Sequence, residues 1–311
     1  MTLPRSETGC PYLILAPMEG VGDRSFRKAM ASIGGFDEAV RDFLRVPLNP
    51  HIKSLALQYD AEELSPIPLA AQLMGAEASL MAQMAYEMQV RGAPRVDLNC
   101  GCPSNTVTGK GAGSSLLKDP TRLYDIARAM VCSVSIPVTV KLRSGFEDTT
   151  LFRENLLAAQ ESGIAYLTLH PRTKVEGYGP PAHWDLIREA KELLKIPVVG
   201  NGDIVTVADA LCIQKETLCD ALMIGRGAIM NPFLFHQIRA HYAGHEFMIE
   251  KLALAAYFKT YLLELGESCH RMRINKMKQL LGYFFKGSPY RQELLRLQPQ
   301  SAEELLDRAF L

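Results

Sequence analysis

The sequence predicts a (β/α)8 TIM barrel followed by a small all-helical C-terminal domain. Eight short apolar runs recur along residues 1–245, most of them followed by a helical pattern. The runs are nearly all apolar, as parallel strands covered on both faces must be. Near Gly244 the alternation stops, and from Phe247 onward the pattern reads as helix alone. Eight β/α units in about 240 residues is the usual size of such a barrel. A doubly wound open sheet is the runner-up, but no G-x-G-x-x-G follows the first strand.

The first run, Tyr12-Leu-Ile-Leu-Ala-Pro17, reads as a buried strand stopped by proline, with Gly20 and Gly22 making the turn. Asp23 can cap a helix over 24–33. Strands follow at 38–43 and 69–74, then a helix at 77–91 with Leu80, Met84 and Met88 at helical spacing. The fourth strand, 96–99, breaks into Gly101, Cys102 and Pro103, which cannot continue it. Asp119-Pro120 opens a helix that runs to about Val131, with proline at its first position. Strands at 136–142, 166–170, 196–200 and 221–225 alternate with helices at 151–162, 184–194 and 206–215, and a helix at 232–242 closes the series. Behind a boundary at 244–248, amphipathic helices are expected around 252–263, 274–285 and 302–310. The domains are therefore 1–245 and 246–311.

Apolar content of 48% and charged content of 22% are those of a soluble globular protein. Seven scattered cysteines, an odd number, favour free thiols in a reducing compartment over disulfides. Cys100 and Cys102 form a C-x-C without a second Cys/His pair, a weak zinc signal, so no metal is expected. Cys10, Cys132, Cys212, Cys219 and Cys269 read as structural or incidental. The N-terminal residues are polar without signal-peptide architecture, and no apolar run is long enough to span a bilayer. A cytoplasmic protein away from membranes is expected. Its 34 basic and 34 acidic residues balance, so only the distribution of charge can speak about a nucleic-acid partner.

In a barrel of this kind the active face is built from residues just past each strand. In order these are Pro17-Met18-Glu19, Phe43, Gln72, Asn99 with Cys102, Lys141 with Arg143, His170 with Arg172, Asn201-Gly202-Asp203 and Gly225-Arg226-Gly227. Cys102 can serve as nucleophile, metal ligand or proton donor, although most free cysteines are buried and inert, and this stretch alone leaves that reading ahead. The turns at Asn201-Gly202 and Gly225-Arg226-Gly227 follow the last two strands, where this fold holds phosphate, and backbone N–H groups there can point at an anion. Lys141 needs a buried partner such as a phosphate or an electron-rich ring, and a Schiff-base role is also open. His170 and Gln72 could be satisfied core residues or contacts to a planar heterocycle.

Residues 268–292 contain no Asp or Glu but carry Arg271, Arg273, Lys276, Lys278, Lys286 and Arg291, interleaved with Tyr283, Phe284, Phe285 and Tyr290. This is either a solvated helix face over a buried aromatic stripe or a surface that tracks phosphates.

The motifs Leu15-Ala-Pro-Met-Glu-Gly20, Ala71-Gln-Leu-Met-Gly75, Val96-Asp-Leu-Asn-Cys-Gly-Cys-Pro-Ser104, Val140-Lys-Leu-Arg143, His170-Pro-Arg-Thr173, Asn201-Gly-Asp203 and Ile224-Gly-Arg-Gly227 resemble, in order, those of the tRNA-dihydrouridine synthases. The resemblance implies an FMN-dependent, NADPH-driven reduction of uridine to 5,6-dihydrouridine in the D-loop of tRNA, on a base turned out of the RNA. By that resemblance Pro17, Met18, Glu19, Gln72, Lys141, His170, Asn201, Gly202, Asp203, Gly225 and Arg226 match flavin-binding positions, and Cys102 matches the proton donor. Asn99, Arg143 and Arg172 match groups near the target base and its phosphates.

Glu19-Gly20, Phe43-Leu-Arg-Val46 and Lys276-Met-Lys-Gln-Leu-Leu281 resemble most the C-type branch, whose target is the uridine at tRNA position 16. In that branch the matches of Arg45, Lys276 and Lys278 orient the tRNA. Arg41-Asp42-Phe43 departs from the family, which usually has a small hydroxyl residue and glutamate there. Alternative targets are D-loop positions 20 or 17, or a free pyrimidine. A Lys141 aldolase and a non-catalytic tRNA binder are the rivals from other classes. No protein partner is evident, and a monomer is expected.

Overall fold

The structure is a computed structural model that describes residues 3–104, 109, 111–179, 181–267 and 269–310. Ser268, where the acid-free run begins, lies outside them, as do both chain ends named in the expected domain limits. The strands are β1 (Tyr12–Leu15), β2 (Glu38–Val40), β3 (Leu44–Arg45), β4 (Leu69–Met74), β5 (Val96–Cys100), β6 (Val138–Gly145), β7 (Leu167–Thr173), β8 (Val198–Asn201) and β9 (Ala221–Ile224). The helices are α1 (Arg24–Ile33), α2 (Ile52–Ala56), α3 (Ala78–Val90), α4 (Pro120–Ser133), α5 (Phe152–Glu161), α6 (Trp184–Leu193), α7 (Val207–Thr217), α8 (Arg226–Met230) and α9 (Leu234–Tyr242). Four more, α10 (Lys251–Glu264), α11 (His270–Phe284), α12 (Tyr290–Arg296) and α13 (Ala302–Phe310), end the chain.

All strand pairs are parallel. β2 pairs with both β1 and β4, and β1 pairs with β9, so eight strands close into a barrel in the order β1-β2-β4-β5-β6-β7-β8-β9. β3 is an appendage at the end of β4, where Leu44 and Arg45 lie beside Leu73 and Met74. The single strand expected over 38–43 is therefore broken. Its chain bends away after Val40 because the Asp42 carboxylate turns to meet Arg27 Nη1 at 2.7 Å and the Arg41 guanidinium turns to the Gln58 carbonyl at 2.7 Å. These bonds occupy the segment that departs from the family pattern.

Side chains alternate along each strand with period two. Leu13, Leu15, Leu69, Ala71, Leu73, Val96, Leu98, Cys100, Val140, Leu142, Leu222 and Ile224 pack outward with helix residues such as Phe26, Met30, Met84 and Leu123. Ile14, Val40, Ala70, Tyr166, Val199, Ala221 and Met223 fill the interior. The same inward positions of β2, β5 and β6 carry Glu38, Asp97 and Thr139, with Arg95 just before β5, all buried, so the barrel core is polar on one side. Three helix starts are capped by local side chains. Asp23 Oδ1 accepts from the Phe26 N–H at 3.0 Å, Asp119 Oδ1 from the Arg122 N–H at 3.1 Å, and Thr206 with Asp209 forms a capping box.

The helices after residue 250 pack on α1 and reach across the barrel mouth. Ser25 Oγ donates to the Glu264 carbonyl at 2.9 Å, and Lys28 pairs with Glu264 at 3.1 Å. The aromatic stripe of the tail is core: Phe258 lies 5.3 Å from Phe284 and 5.0 Å from Phe310, ring to ring. No helix among the described residues is long and apolar enough to cross a membrane.

Candidate active site

A cavity of about 870 Å³ opens at the C-terminal ends of the strands. Pro17, Met18, Glu19, Phe43, Gln72, Asn99, Cys102, Lys141, Arg143, His170 and Arg226 all border it, so eleven dispersed strand-end groups converge on one space. A side chamber of about 100 Å³ lies against Asn201, Gly202, Asp203, Gly225 and Arg226 and shares Met18, Lys141 and His170 with the main cavity. β5, which leads to Cys102, and β9, which leads to Gly225, are four strands apart in a ring of eight, so these two groups stand on opposite rims.

The chamber is shaped by backbone. Gly202 has φ 123°, and a Cβ there would stand 3.0 Å from His170 Cδ2 and 3.2 Å from Ala182 Cβ. A Cβ on Gly227 would fall 2.0 Å from the Ile204 carbonyl oxygen, so the two turns touch and only glycine fits. Trp184 Nε1 donates to the Gly202 carbonyl at 3.0 Å, and Asn201 Nδ2 to the Met223 carbonyl at 2.8 Å, which ties β8 to β9. Asp203 accepts from Arg172 Nη2, from Arg226 Nη2 at 3.0 Å and from the Ala182 N–H at 2.9 Å. Asp203 thus aims two guanidinium groups. Arg172, expected near the target base, is instead buried behind this chamber on that carboxylate and beside His170 Nε2, and it is not among the residues that border either cavity.

The floor of the cavity is cationic. Burial pulls the Lys141 ammonium down to about 8, helped by the Arg143 charge and resisted by Asp97. Burial, followed by Lys141, Arg143, Arg172 and Arg226, pushes His170 far below its ordinary value, so its imidazole is neutral and can hydrogen-bond without adding charge. On the opposite rim Cys102 is 7% exposed beside Met74 and Ala112. Burial pushes its thiol above the usual value, against the Ser104 N–H; Glu19 adds to the rise and Arg45 and Arg143 oppose it. Cys102 is therefore protonated at neutral pH. Cys100 packs in the outer core, and burial pushes its thiol still higher.

Arg143 donates from Nε to the Gly101 carbonyl at 2.9 Å and from Nη1 to the Thr173 and Gly177 carbonyls at 2.9 Å each. It clasps the Cys102 loop to the loop after β7. That second loop carries Tyr178, a residue the strand-end reading missed. Its ring lies 5.2 Å from the Arg143 guanidinium and 4.7 Å from that of Arg226, and it borders both cavities. The only sequence signal was an aromatic residue in a Gly-Tyr-Gly turn.

The tail meets the site through Tyr283 and Lys286, which border the cavity. Both also border a groove of about 710 Å³ along α11 and α12, together with Lys276, Lys278, Gln279 and Arg291. Lys276 and Lys278 are engaged within the protein. Lys276 Nζ meets Asp23 Oδ2 and the Gly20 carbonyl at 2.7 Å each, and Lys278 Nζ caps the Leu295 and Leu297 carbonyls at 3.1 and 2.5 Å. Arg45 is exposed at the rim on β3.

A family model described as Dihydrouridine synthase (Dus) matches residues 14–310. The chain belongs to the dihydrouridine synthase family. It is thus an oxidoreductase. A relative from Neisseria meningitidis, named tRNA-dihydrouridine(16) synthase, is 36% identical over 293 residues, covering 91% of this chain and 88% of its own. Relatives of the same name from Shewanella oneidensis and Pseudomonas syringae are 37% and 39% identical, over 91% and 75% of this chain and 92% and 76% of theirs. Among solved structures, an old yellow enzyme homologue from Zymomonas mobilis aligns with TM-score 0.51 and 14% identity over 78% of this chain and 91% of its own. An amine oxidase acting on 6-hydroxypseudooxynicotine, from Pseudomonas geniculata, aligns with TM-score 0.56 and 16% identity over 75% and 47%. These two share the barrel fold.

Proposed function

We propose that this dihydrouridine synthase reduces uridine 16 of tRNA to 5,6-dihydrouridine, with FMN as resident cofactor and NADPH as reductant. The observation that carries the reading is Cys102, a protonated thiol on the rim opposite the paired glycine turns. The shared name of the relatives supports position 16.

The cavity suits FMN in shape and charge. Asn201, Gly202, Asp203, Gly225 and Arg226, with Arg172 behind them, form a chamber that would hold a phosphate. Pro17, Met18, Glu19, Gln72, Lys141 and His170 border the wider space that would take the ring. When bound and reduced by NADPH, FMN supplies the hydride for C6 of the uracil. Cys102 gives its proton to C5 from the other side. Asn99 and Arg143 border the space between, where a base turned out of the RNA would lie. Residues 246–311 act as the tRNA-binding domain, and the groove that shares Tyr283 and Lys286 with the cavity leads the RNA to the mouth. Arg45 adds a cation at the rim. The enzyme works on tRNA in the cytoplasm.

Cys102→Ala tests the reading. The variant keeps its yellow flavin and its reduction by NADPH but loses dihydrouridine formation by about 10²–10⁴-fold, the range for one general acid. Full turnover in the variant would overturn the assignment. Loss of the gene should abolish dihydrouridine at position 16 alone, and loss at 17 or 20 instead would move the target.

A further inference from the structure

We propose that Asp97 is a positioning residue: through Gln72 and Asn99 it fixes the direction in which the loop carrying Cys102 is held. The inference rests on the reading of Cys102 as the acid.

The argument is one of hydrogen-bond polarity. The Gly101 and Cys102 N–H groups can only donate, and they point at Asn99 Oδ1 at 3.0 and 2.9 Å. Asn99 must then turn its NH2 to Gln72, and Nδ2 meets Gln72 Oε1 at 2.8 Å. Gln72 must in turn present its own NH2 beyond, where Nε2 meets Asp97 Oδ2 at 2.7 Å. A carboxylate only accepts, so it is the group that can end this series. The other side arrives with the same sense. Arg95 Nη1 donates to Thr139 Oγ1 at 2.6 Å, and Thr139 donates to Asp97 Oδ1 at 2.5 Å.

Both chains of donors therefore end on one buried carboxylate. Arg95 stands 3.5 Å from Asp97 and also pairs with Glu38 at 2.6 Å, so a cation lies beside the end of the series. An amide can flip end for end at little steric cost. Each of the two amides here has one orientation that leaves no donor facing a donor, and Asp97 selects it. Buried networks with every member paired hold their geometry, and half-paired ones do not. With Asp97 in place, Asn99 holds the two backbone N–H groups of the thiol loop. Without it, Gln72 can turn its NH2 toward Asn99, and the grip on the loop is lost. A misplacement of about 1 Å in a reacting group can cost about 10²-fold in rate.

The test is Asp97→Asn, which keeps size and offers Gln72 an NH2 in place of an acceptor. Flavin retention and flavin reduction by NADPH should stay within about threefold of wild type, while the single-turnover rate on tRNA from reduced enzyme falls by about 10²-fold. A tRNA step within about twofold of wild type overturns the proposal. The pair Asp97→Asn with Gln72→Glu restores the polarity, because the new amide donates to a carboxylate at position 72 whose second oxygen still accepts from Asn99. The pair should recover at least about tenfold of the lost rate, and it decides alone if Asp97→Asn does not fold. A pair that fails to fold or to recover rate overturns the relay. A role in folding alone would depress both half-reactions and would not be rescued by exchanging the charge. Cys102→Ala separates the two readings. If it is inactive while Asp97→Asn is normal, only the relay fails; if it is active, the acid assignment fails and the relay with it.

Discussion

Replacing Lys141 with methionine should make the flavin-free protein more stable and its grip on FMN weaker. The half-buried Lys141 stands on the cavity floor near Arg143, and burial first, then the Arg143 charge, brings its pKa from an ordinary 10.5 to about 8. A fall of that size corresponds to roughly 3 kcal/mol, at about 1.4 kcal/mol per tenfold. A depressed lysine binds its proton less well folded than unfolded, so the charge costs stability at every pH below about 8. The cost fades as pH rises from about 8 to 10.5, where the folded state has released the proton and the unfolded state has not. Methionine fills the stem's volume and carries no charge. At pH 7 the flavin-free variant should gain up to roughly 3 kcal/mol, equivalent to about 5 °C in melting temperature for a chain of this length. By pH 10.5 the gain should be nearly gone. FMN affinity should fall in the same variant, because Lys141 borders both cavities, where a phosphate or electron-rich ring would use its charge. Urea melts of flavin-free protein at several pH values and flavin titrations measure both. A variant less stable than wild type at pH 7, or a gain that does not shrink with pH, would refute the electrostatic account.

Other outcomes follow from single contacts. Gly227→Ala drives a methyl group into the Ile204 carbonyl, 2.0 Å from its ideal position, so it should cost about 1–3 kcal/mol and lose most bound flavin, read by absorbance and melting. Lys278→Ala removes the cap on two carbonyls at the end of α12 and should cost about 1–2 kcal/mol, with little change in the salt dependence of tRNA binding. Lys286→Ala, at the junction of groove and cavity, should instead lower the slope of log K against log salt by about one with little effect on melting. The tRNA step, measured from pre-reduced enzyme, should fall only above the range in which an ordinary thiol titrates, because the protonated thiol is the active form and burial moves its titration upward. Cys102→Ser should lack that limb.

The strands were legible because a parallel strand covered on both faces must be apolar along its length, and β1, β4 and β9 announce themselves that way. The strand-end groups followed from the fold, since proline and glycine mark where each strand stops. The cap Asp23 was legible because a cap is a local bond. What could not be read was pairing over distance. Lys276 and Asp23 are 253 positions apart, and no local pattern says that the lysine ties α11 to the loop after β1. The break between β2 and β3 was hidden for the same reason, because its cause is Arg27 on another element. The polar interior did leave a trace. Arg95, Asp97 and Asn99 alternate with apolar residues, which in a strand means one face is polar. A covered sheet gives that face no solvent, so the alternation pointed to a buried network.

That network and the cationic floor share one energetic logic. Lys141, Arg143, Arg172 and Arg226 surround a neutral His170, while Asp203 serves two of the four. Burying cations beside one another lowers the stability of the flavin-free protein, and Lys141 is depressed first by burial and then by the Arg143 charge. An anionic ligand reverses the sign of each of these terms, so its binding energy appears as folding energy. The interior network works the other way. Asp97 and Glu38 share one counter-charge, Arg95, and burial raises the Glu38 carboxyl in spite of it. The barrel therefore separates its charges by depth. Those in the core act on one another, and through Gln72 and Asn99 they hold the thiol loop without a ligand. Those at the mouth are under-compensated and wait for an anion. If FMN is the resident group, its removal should soften the turns at Gly202 and Gly225, while the Asp97 network keeps its protection from hydrogen exchange. Equal loss of protection in both regions would mean that the two layers are one cooperative unit.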